Sequence, residues 1–438
     1  MPLFKLNGVR VPHRKNTASM PAVRMPAPKT VTIPVLMHIG KPAVPVVKAG
    51  DHVCVGDIIA RADGFVSAPV HASISGTVTK VDDIVSSSGS SMKAIIIESD
   101  GEMTVSESVK PPVIESLDDF TKALADSGTV GLGGAGFPTA VKLKVEDLSR
   151  IKAIVINGAE CEPYITSDTR TMLDEAEWIA QGVSLLEKYL KADRIIIGIE
   201  KNKPECIRKM TETFSSDPAV TVKSLPSIYP QGGEKVLIYH TTGAVVPEGK
   251  LPIDAGAIVI NCTTLAAAAK YCRTGMPLVE KCVTVDGGAV KNPQNVIVPI
   301  GTSLQDVFDF CGGFIREPKK VLYGGPMMGI ALPSTDNPIL KNTNAILAFD
   351  EKQAAPKKTT ACIRCGSCVE HCPLRLNPVA ISKALAANDG AELARLKVNL
   401  CMECGCCSYV CPTAQPLVQR NKLAKGVLRS YNSQEGKK

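Results

Sequence analysis

The feature that most constrains this chain is a repeated cysteine pattern near its C-terminal end. The segments CIRCGSCVEHCP (362–373) and CMECGCCSYVCP (401–412) both follow the spacing C-x2-C-x2-C-x3-C-P. In this pattern the first three cysteines of a run bind one iron–sulfur cluster, and the fourth points to a second cluster. Zinc knuckles are the alternative, but they usually use two cysteine pairs at a longer separation and have no need of the final proline. The pattern therefore predicts two [4Fe–4S] clusters.

Each predicted cluster takes three cysteines from one run and one from the other. The first cluster is assigned to Cys362, Cys365, Cys368 and Cys411, and the second to Cys401, Cys404, Cys407 and Cys372. Cys406 breaks the pattern and is interpreted as a small residue packed beside a cluster. The segment between the runs predicts two short helices, so we expect an α-helical two-cluster ferredoxin-type domain over residues 361–438. Two adjacent clusters form a one-electron wire, and the rest of the chain should supply one of its ends.

Length and composition indicate a multidomain chain that is not a nucleic-acid binder. The 438 residues suggest several domains, and the net charge of +7 is spread out rather than concentrated on one basic face. No apolar run is long enough to span a bilayer, and the N-terminal segment lacks the apolar core of a signal peptide. We therefore expect a cytoplasmic protein with no membrane span of its own. The sixteen cysteines then point to metal or redox chemistry more than to disulfides.

A glycine-rich loop, VGLGGAGFPTAVKLK (130–144), lies well before the cysteine runs. Gly131, Gly133 and Gly136 formally match G-x-G-x-x-G, which must follow a strand to indicate an ordinary dinucleotide loop. The preceding segment (116–128) instead has a helical pattern, with Ser116 as N-cap and Gly128 as the stop. Glycines nevertheless let backbone N–H groups approach a phosphate, and Lys142 could add a charge. A phosphate site and a plain tight loop both remain open at this point.

Polar residues follow the strands of a predicted parallel sheet. IKAIVING (151–158) is apolar throughout, as in a strand buried on both faces, and a helix at about 171–190 and further strands follow. A second glycine loop, YPQGGEKVLI (229–238), has Glu234 opening a helix. We expect a Rossmann-like α/β domain over residues 110–276, with ligands at the carboxyl ends of its strands. Polar candidates at these strand and loop ends are Asn157, Glu160, Glu162 and Asn261.

Three of these segments together resemble the flavin-binding subunit of respiratory complex I, which binds FMN and oxidises NADH. They are GLGGAGFPTAVK, NGAECEP and YPQGGEKVL, within a region of about 120–270. The resemblance implies that FMN is held non-covalently by Gly131, Gly133, Gly134, Gly136, Lys142, Asn157, Glu160, Gly232, Gly233 and Asn261. It further implies that Phe137, Glu162 and Glu234 lie on the NAD(H) side of the flavin. The chain departs from the family at Leu132, where a basic residue is common, and at Ala159, where an acid is common.

Two further modules flank the α/β domain. Residues 31–105 resemble a lipoyl- or biotinyl-type barrel-sandwich hybrid, but the hairpin RADG (61–64) lacks the lysine that carries such cofactors. We interpret it as a docking module, and its nearby histidines as surface or packing residues rather than metal ligands; they are His13, His38, His52 and His71. Residues 277–350 resemble a β-grasp (SLBB) domain with a helix capped by Ser303. Residues 1–30 form an N-terminal arm, and residues 351–360 a linker.

The order of these modules resembles that of the C subunit of the Rnf complexes, which couple electron transfer between ferredoxin and NAD to Na⁺ or H⁺ transport. The resemblance implies a peripheral subunit on the cytoplasmic face that exchanges hydride with NAD(H) at FMN. Single electrons would pass through the two clusters to or from the B subunit and the membrane core. Ferredoxin would thus be an indirect partner. One alternative is a cobalamin reductase-like protein, in which the barrel comes last. Another is an electron-wiring subunit without its own NADH site, which the departures at Leu132 and Ala159 leave open.

Overall fold

A computed structural model describes residues 7–87 and 89–435. An N-terminal arm precedes four modules, and its short strand β1 (Val23–Arg24) pairs in parallel with the β-grasp sheet. The barrel follows as two small sheets, in the orders β2-β8-β7-β4 and β3-β5-β6. Its strands are β2 (Thr30–Pro34), β3 (Val44–Pro45), β4 (His52–Val53), β5 (Ile58–Arg61), β6 (Val70–His71), β7 (Gly76–Val85) and β8 (Ser91–Ser99).

The barrel core is closed partly by the α/β domain. Its fully buried aliphatic side chains include Val31, Ile33 and Ile59, and Leu132 of the glycine loop packs in the same cluster at 2% exposure. Leu132 is one of the positions at which the chain departs from the complex I family. Its side chain fills a shared core, where a basic residue would be buried without water.

The α/β domain is a four-stranded parallel sheet in the order β11-β10-β9-β12, covered by helices. Ser116 caps its first helix through a capping box, as predicted, whereas the helix predicted at 171–190 is divided at Glu175. Its elements are α1 (Leu117–Asp126), α2 (Thr139–Leu143), β9 (Ala153–Gly158), α3 (Ser167–Asp174), α4 (Ala176–Leu190), β10 (Ile195–Glu200), α5 (Pro204–Thr213), β11 (Val220–Leu225), α6 (Glu234–Thr242), β12 (Ala257–Asn261) and α7 (Cys262–Thr274).

The β-grasp module is a mixed sheet in the order β1-β14-β13-β17-β15-β16, to which the arm contributes the edge strand. Ser303 accepts a hydrogen bond from the Asp306 amide and caps the helix, as predicted. Its own elements are β13 (Glu280–Asp286), β14 (Gln294–Pro299), α8 (Leu304–Phe310), β15 (Lys320–Tyr323), β16 (Ile330–Leu332) and β17 (Ala345–Phe349).

The C-terminal domain is helical, and the two short helices predicted between the cysteine runs are present. The predicted linker begins with a helical turn capped by Asp350, and then continues without regular structure. The helices are α9 (Glu351–Ala354), α10 (Ser367–Glu370), α11 (Pro378–Ala386), α12 (Gly390–Arg395), α13 (Cys406–Tyr409) and α14 (Leu417–Glu435). Across residues 7–87 and 89–435, no helix has the length and apolar character needed to cross a membrane.

Candidate electron-transfer site

The first glycine loop is a compact turn at the carboxyl edge of the parallel sheet. Gly131 N donates to Phe137 O (2.9 Å), and Gly136 N donates back to Gly131 O (3.1 Å). Gly133 and Gly134 are exposed at the tip of the turn, and Phe137 is half-buried. A Cβ added at Gly133 would lie 3.0 Å from the Asn261 amide nitrogen, so the loop passes the end of β12 at a range that is tight for any side chain. Such a backbone cradle fits an anionic group like the FMN phosphate.

Three modules fix the position of this loop. Within the α/β domain, Leu132 N donates to Thr264 Oγ1 at 2.9 Å. The barrel contributes Ile39, whose backbone N–H donates to Gly136 O at 3.0 Å. The β-grasp module contributes Asn342, whose side-chain amide donates to Gly134 O at 2.9 Å. None of these three holding residues carries a motif in the sequence, because each is recruited by packing between modules.

Asn157 and Asn261 lie side by side where the strand order of the sheet reverses. Asn157 is the second-last residue of β9 and Asn261 is the last residue of β12, and the two residues are paired in register. Asn157 Nδ2 donates to Gly232 O (2.9 Å) of the second glycine loop, while Asn261 Oδ1 accepts from Thr264 N (3.0 Å) and caps α7. In open α/β sheets this reversal point opens a crevice in which ligands bind. The structure thus brings both glycine loops and both asparagines to one crevice.

Lys142 and Glu234 form an ion pair beside this crevice, with Nζ and Oε1 2.8 Å apart. Lys142 also donates to Val259 O at 3.1 Å, and both charged side chains are about one-third exposed. Gly233 is the N-cap of the helix that Glu234 opens. The residue predicted to meet the phosphate and one predicted to face NAD(H) are therefore direct partners.

The carboxylate of Glu160 is engaged inside the protein. It accepts hydrogen bonds from Asp168 N (2.7 Å) and Thr169 Oγ1 (2.6 Å), which places it on the N-terminus of α3. Burial raises the pKa of this carboxyl group, and the nearby Lys15 ammonium opposes that rise. Carboxylates at a helix N-terminus are stabilised by the free amides and the helix dipole. A contact between Glu160 and FMN stays a prediction.

Glu162 joins the α/β domain to the β-grasp module. Its carboxylate accepts hydrogen bonds from Met327 N (3.1 Å) and Met328 N (2.8 Å). Burial raises the pKa of Glu162 to about 7, and the two amide donors hold it below the value that burial alone would produce. Its placement on the NAD(H) side of the flavin stays a prediction.

The cysteines predicted for each cluster line a cavity of their own in the C-terminal domain. The first cavity, of about 160 Å³, opens to the surface. It is lined by Cys362, Cys365, Cys368 and Cys411. The second is smaller and is lined by Cys372, Cys401, Cys404 and Cys407, with Cys406 at its edge. Within the described part of the chain no three potential ligands converge on a single-ion site, and a cubane is ligated around its corners rather than at one point.

Donors aimed at the cysteine sulfurs fit thiolate ligands. Leu376 N donates to Cys372 Sγ at 3.3 Å, and Gln415 N donates to Cys411 Sγ at 3.4 Å, four residues after each final cysteine. Asn421 Nδ2 adds a side-chain donor to Cys401 Sγ at 3.4 Å. Such hydrogen bonds stabilise negative charge on sulfur and tune cluster potentials.

The second cavity faces the α/β domain, whereas the first faces outward. Tyr229, at the start of the second glycine loop, donates its hydroxyl to Cys404 O at 2.8 Å. A Cβ added at Gly233 would collide with Met402 Cε, so this loop touches the Cys401–Cys404 turn directly. Cys406 is fully buried at the same contact, with Sγ 3.8 Å from Tyr229 O. Cys362 and Cys365, by contrast, are exposed.

Four family models match the chain, in the same order as its four modules along the sequence. Residues 4–102 match the RnfC barrel sandwich hybrid domain, and residues 124–270 match the Nuo51 FMN-binding domain. Residues 282–331 match the SLBB domain, and residues 356–412 match the 4Fe–4S dicluster domain. Together with the crevice and the two cysteine-lined cavities, these matches define an electron-transferring flavoprotein with two iron–sulfur clusters.

Relatives then identify the family. The chain is 42% identical over 86% of its length to the C subunit of the Na⁺-translocating ferredoxin:NAD⁺ oxidoreductase complex of Acetobacterium woodii, of which it covers 86%. It is also 42% identical to the C subunit of the proton-translocating ferredoxin:NAD⁺ oxidoreductase complex of Clostridium ljungdahlii, with 84% of this chain and 81% of that protein covered. The C subunit of the ion-translocating oxidoreductase complex of Rhodobacter capsulatus is 39% identical, with 97% and 82% covered. The chain belongs to the C-subunit family of these ion-translocating (Rnf) oxidoreductase complexes.

One solved structure shares the fold at low identity. The crystal structure of an NAD⁺-reducing [NiFe]-hydrogenase in its air-oxidized state aligns with a TM-score of 0.50 at 19% sequence identity. The alignment covers 72% of this chain and 63% of that chain. It shows a common arrangement of the backbone.

Proposed function

We propose that this chain is the nicotinamide-reacting subunit of its complex. It exchanges hydride with NAD(H) at FMN in the crevice between Asn157 and Asn261, and it relays single electrons through the second cluster and then the first. The observation that carries this order is the contact of Tyr229 and Gly233 with the Cys401–Cys404 turn, which places the second cluster cavity against the flavin domain.

The residues of the crevice have separate tasks in this proposal. A bound FMN takes two electrons as hydride and gives them up singly, and a [4Fe–4S] cluster carries one electron at a time. The amides of Gly133 and Gly134 hold the phosphate, and Lys142 supplies a positive charge beside them. Glu234 keeps Lys142 oriented through their 2.8 Å ion pair. Phe137 and Glu162 contribute to the nicotinamide side.

The first cluster serves as the exchange point with the rest of the complex. Its ligands Cys362 and Cys365 are exposed, so another protein can approach the cluster closely. We assign this partner as the B subunit, which leads on to the membrane core and indirectly to ferredoxin. We place the chain at the cytoplasmic face of the membrane, because NAD(H) and a reducing environment for sixteen cysteines are found there.

An anaerobic titration with NADH tests both the nicotinamide site and the electron order. The protein is reconstituted with iron, sulfide and FMN, and flavin and cluster absorbance are followed separately by rapid mixing. Cys365→Ala removes a ligand of the outer cluster, Cys407→Ala removes one of the inner cluster, and Cys406→Ala is the matched control.

We expect NADH to bleach the flavin in all four proteins. In the Cys365→Ala protein, NADH should still reduce the inner cluster quickly. In the Cys407→Ala protein, the outer cluster should stay oxidised on the same time scale. Fast reduction of the outer cluster in Cys407→Ala would contradict the order. A wild-type protein that binds FMN and ignores NADH would instead be an electron-wiring subunit.

A further inference from the structure

The N-terminal arm crosses the flavin domain before it reaches the barrel. Val9 and Tyr229 exchange two backbone hydrogen bonds (2.8 and 2.9 Å), so the arm passes beside the second glycine loop at Val9. His13 O then accepts from Tyr164 N at 2.9 Å. Thr17 O accepts from Asn295 Nδ2 (3.0 Å) of the β-grasp module. The arm therefore contacts both the α/β domain and the β-grasp module.

Lys15 of this arm reaches into the loop that follows β9, which we call the acidic loop (residues 159–165). Its ammonium group donates to three backbone carbonyl oxygens of the loop, and its side chain is only 14% exposed. The acceptors are Glu160 O (2.8 Å), Glu162 O (2.8 Å) and Ile165 O (2.5 Å). All three donor positions of the ammonium are thus used by a single loop.

A second buried lysine also holds this loop. Lys203, at the start of α5, donates to Ala159 O at 2.7 Å and also lies 3.4 Å from Glu200 Oε2. Glu160 and Tyr164 adopt positive φ angles of 45° and 71°, which side chains other than glycine rarely take. The loop conformation is therefore unfavourable by itself and depends on the hydrogen bonds that surround it.

The acidic loop in turn sets the position of the electron-transfer elements. Cys161 Sγ accepts from Gly232 N (3.3 Å) of the second glycine loop, and Glu162 accepts from the Met327 and Met328 amides. The second glycine loop is the segment that touches the inner cluster turn. A displacement of the acidic loop would therefore reach the crevice and the flavin-to-cluster junction together.

We infer that Lys15 is a positioning residue for the flavin site, and that the arm is a functional part of that site. Lys15 acts through the acidic loop, with Lys203 as its partner. The inference rests on the proposed FMN crevice. The arm thereby stabilises the acidic loop with an ammonium group that belongs to neither the barrel nor the α/β domain.

Lys15→Met and the milder Lys15→Gln test the inference in the full-length protein with both clusters reconstituted. Lys29→Met is the matched control, because Lys29 is an exposed lysine of the same N-terminal region. FMN affinity is measured anaerobically by fluorescence quenching, the flavin midpoint potential by spectroelectrochemistry, and the outer cluster by its iron content and spectrum.

Loss of the three charged hydrogen bonds should weaken FMN binding about tenfold or more in Lys15→Met, with a smaller loss in Lys15→Gln. The flavin midpoint potential should shift in both variants, while the outer cluster and the Lys29→Met protein remain as in wild type. Lys203→Met should likewise weaken FMN binding, because Lys203 holds the same loop.

FMN affinity within twofold of wild type in both Lys15 variants would overturn the inference. Loss of FMN and both clusters together in Lys15→Gln would also overturn it, because the lysine would then support the whole fold. A wild-type protein that binds no FMN would refute the proposed function instead, so the two failures are distinguishable.

Discussion

The Gly133→Ala substitution tests the first glycine loop as the phosphate cradle. The added Cβ would lie 3.0 Å from Asn261 Nδ2 and 3.1 Å from Asn261 Cγ, which is closer than ordinary packing allows. Asn261 has little freedom to withdraw, because Nδ2 donates to Asp168 Oδ2 (2.8 Å) and Oδ1 accepts from Thr264 N (3.0 Å). The loop is therefore expected to move, and with it the exposed tip that we propose holds the phosphate.

Overpacking of this kind costs about 1–3 kcal/mol. If that cost falls on the FMN-bound conformation, the dissociation constant for FMN rises roughly 5- to 140-fold, at about 1.4 kcal/mol per factor of ten. Fluorescence quenching of FMN on the anaerobic protein measures the change. The measurement is sensitive because even the lower limit exceeds twofold.

Gly426→Ala is the matched control for the same chemical change. A Cβ at Gly426 meets no atom within 4 Å, and this glycine lies in α14. Its replacement should leave FMN affinity unchanged and stabilise the helix by about 0.5–1 kcal/mol. Equal FMN affinity in Gly133→Ala, Gly426→Ala and wild type would refute the assignment of the loop.

Three further predictions concern the clusters and a buried lysine. Cys406→Ala should keep the full iron content of both clusters and Cys407→Ala should lose about half of it, because we assign only Cys407 as a ligand. Equal iron loss in the two variants would contradict the assignment. Tyr229→Phe removes the hydroxyl that donates to the Cys404 carbonyl oxygen, and the loss of this hydrogen bond costs about 1–3 kcal/mol of stability. The substitution should therefore lower the temperature at which the inner cluster bleaches. An unchanged temperature would argue against that contact. Burial lowers the pKa of Lys341 from 10.5 to about 7. Between these pH values the unfolded chain binds more protons than the folded chain. The free energy of unfolding should therefore rise with pH in that window, by at most about 1.4 kcal/mol per pH unit. Lys341→Met should flatten this rise in anaerobic denaturation at several pH values, and an equal slope in both proteins would exclude the effect.

Local features were predictable because neighbouring residues produce them. Ser116, for example, caps α1 through contacts within one helical turn. The apolar run of β9 likewise predicts a strand buried on both faces. The helix predicted at 171–190 was wrong in one respect, since a break at Glu175 divides it. The hydrophobic pattern of a sequence does not reveal a break between two helices when the helical period of apolar residues continues across it.

The arrangement of the candidate site depended on residues far apart in the chain. Glu160 stood out in the sequence as a flavin-site acid, and its carboxylate caps α3. Leu132 looked like a departure from a family pattern, and its side chain completes the barrel core. Lys15 was not predicted as a site residue, because the carbonyl oxygens that bind its ammonium group belong to a loop about 150 positions later.

Short sequence patterns encode the redox chemistry of this chain. Three of the four predicted ligands of each cluster lie within one cysteine run, and the glycines of a backbone cradle lie within one turn, so most of each pattern is encoded locally. Which cluster cavity lies against the flavin domain and which faces outward depends instead on how the modules pack. The same packing lets barrel, β-grasp and arm hold the two glycine loops, through Ile39, Asn342 and Val9. Such contacts arise from the burial of apolar surface and the pairing of buried polar groups between modules, which no short segment specifies alone.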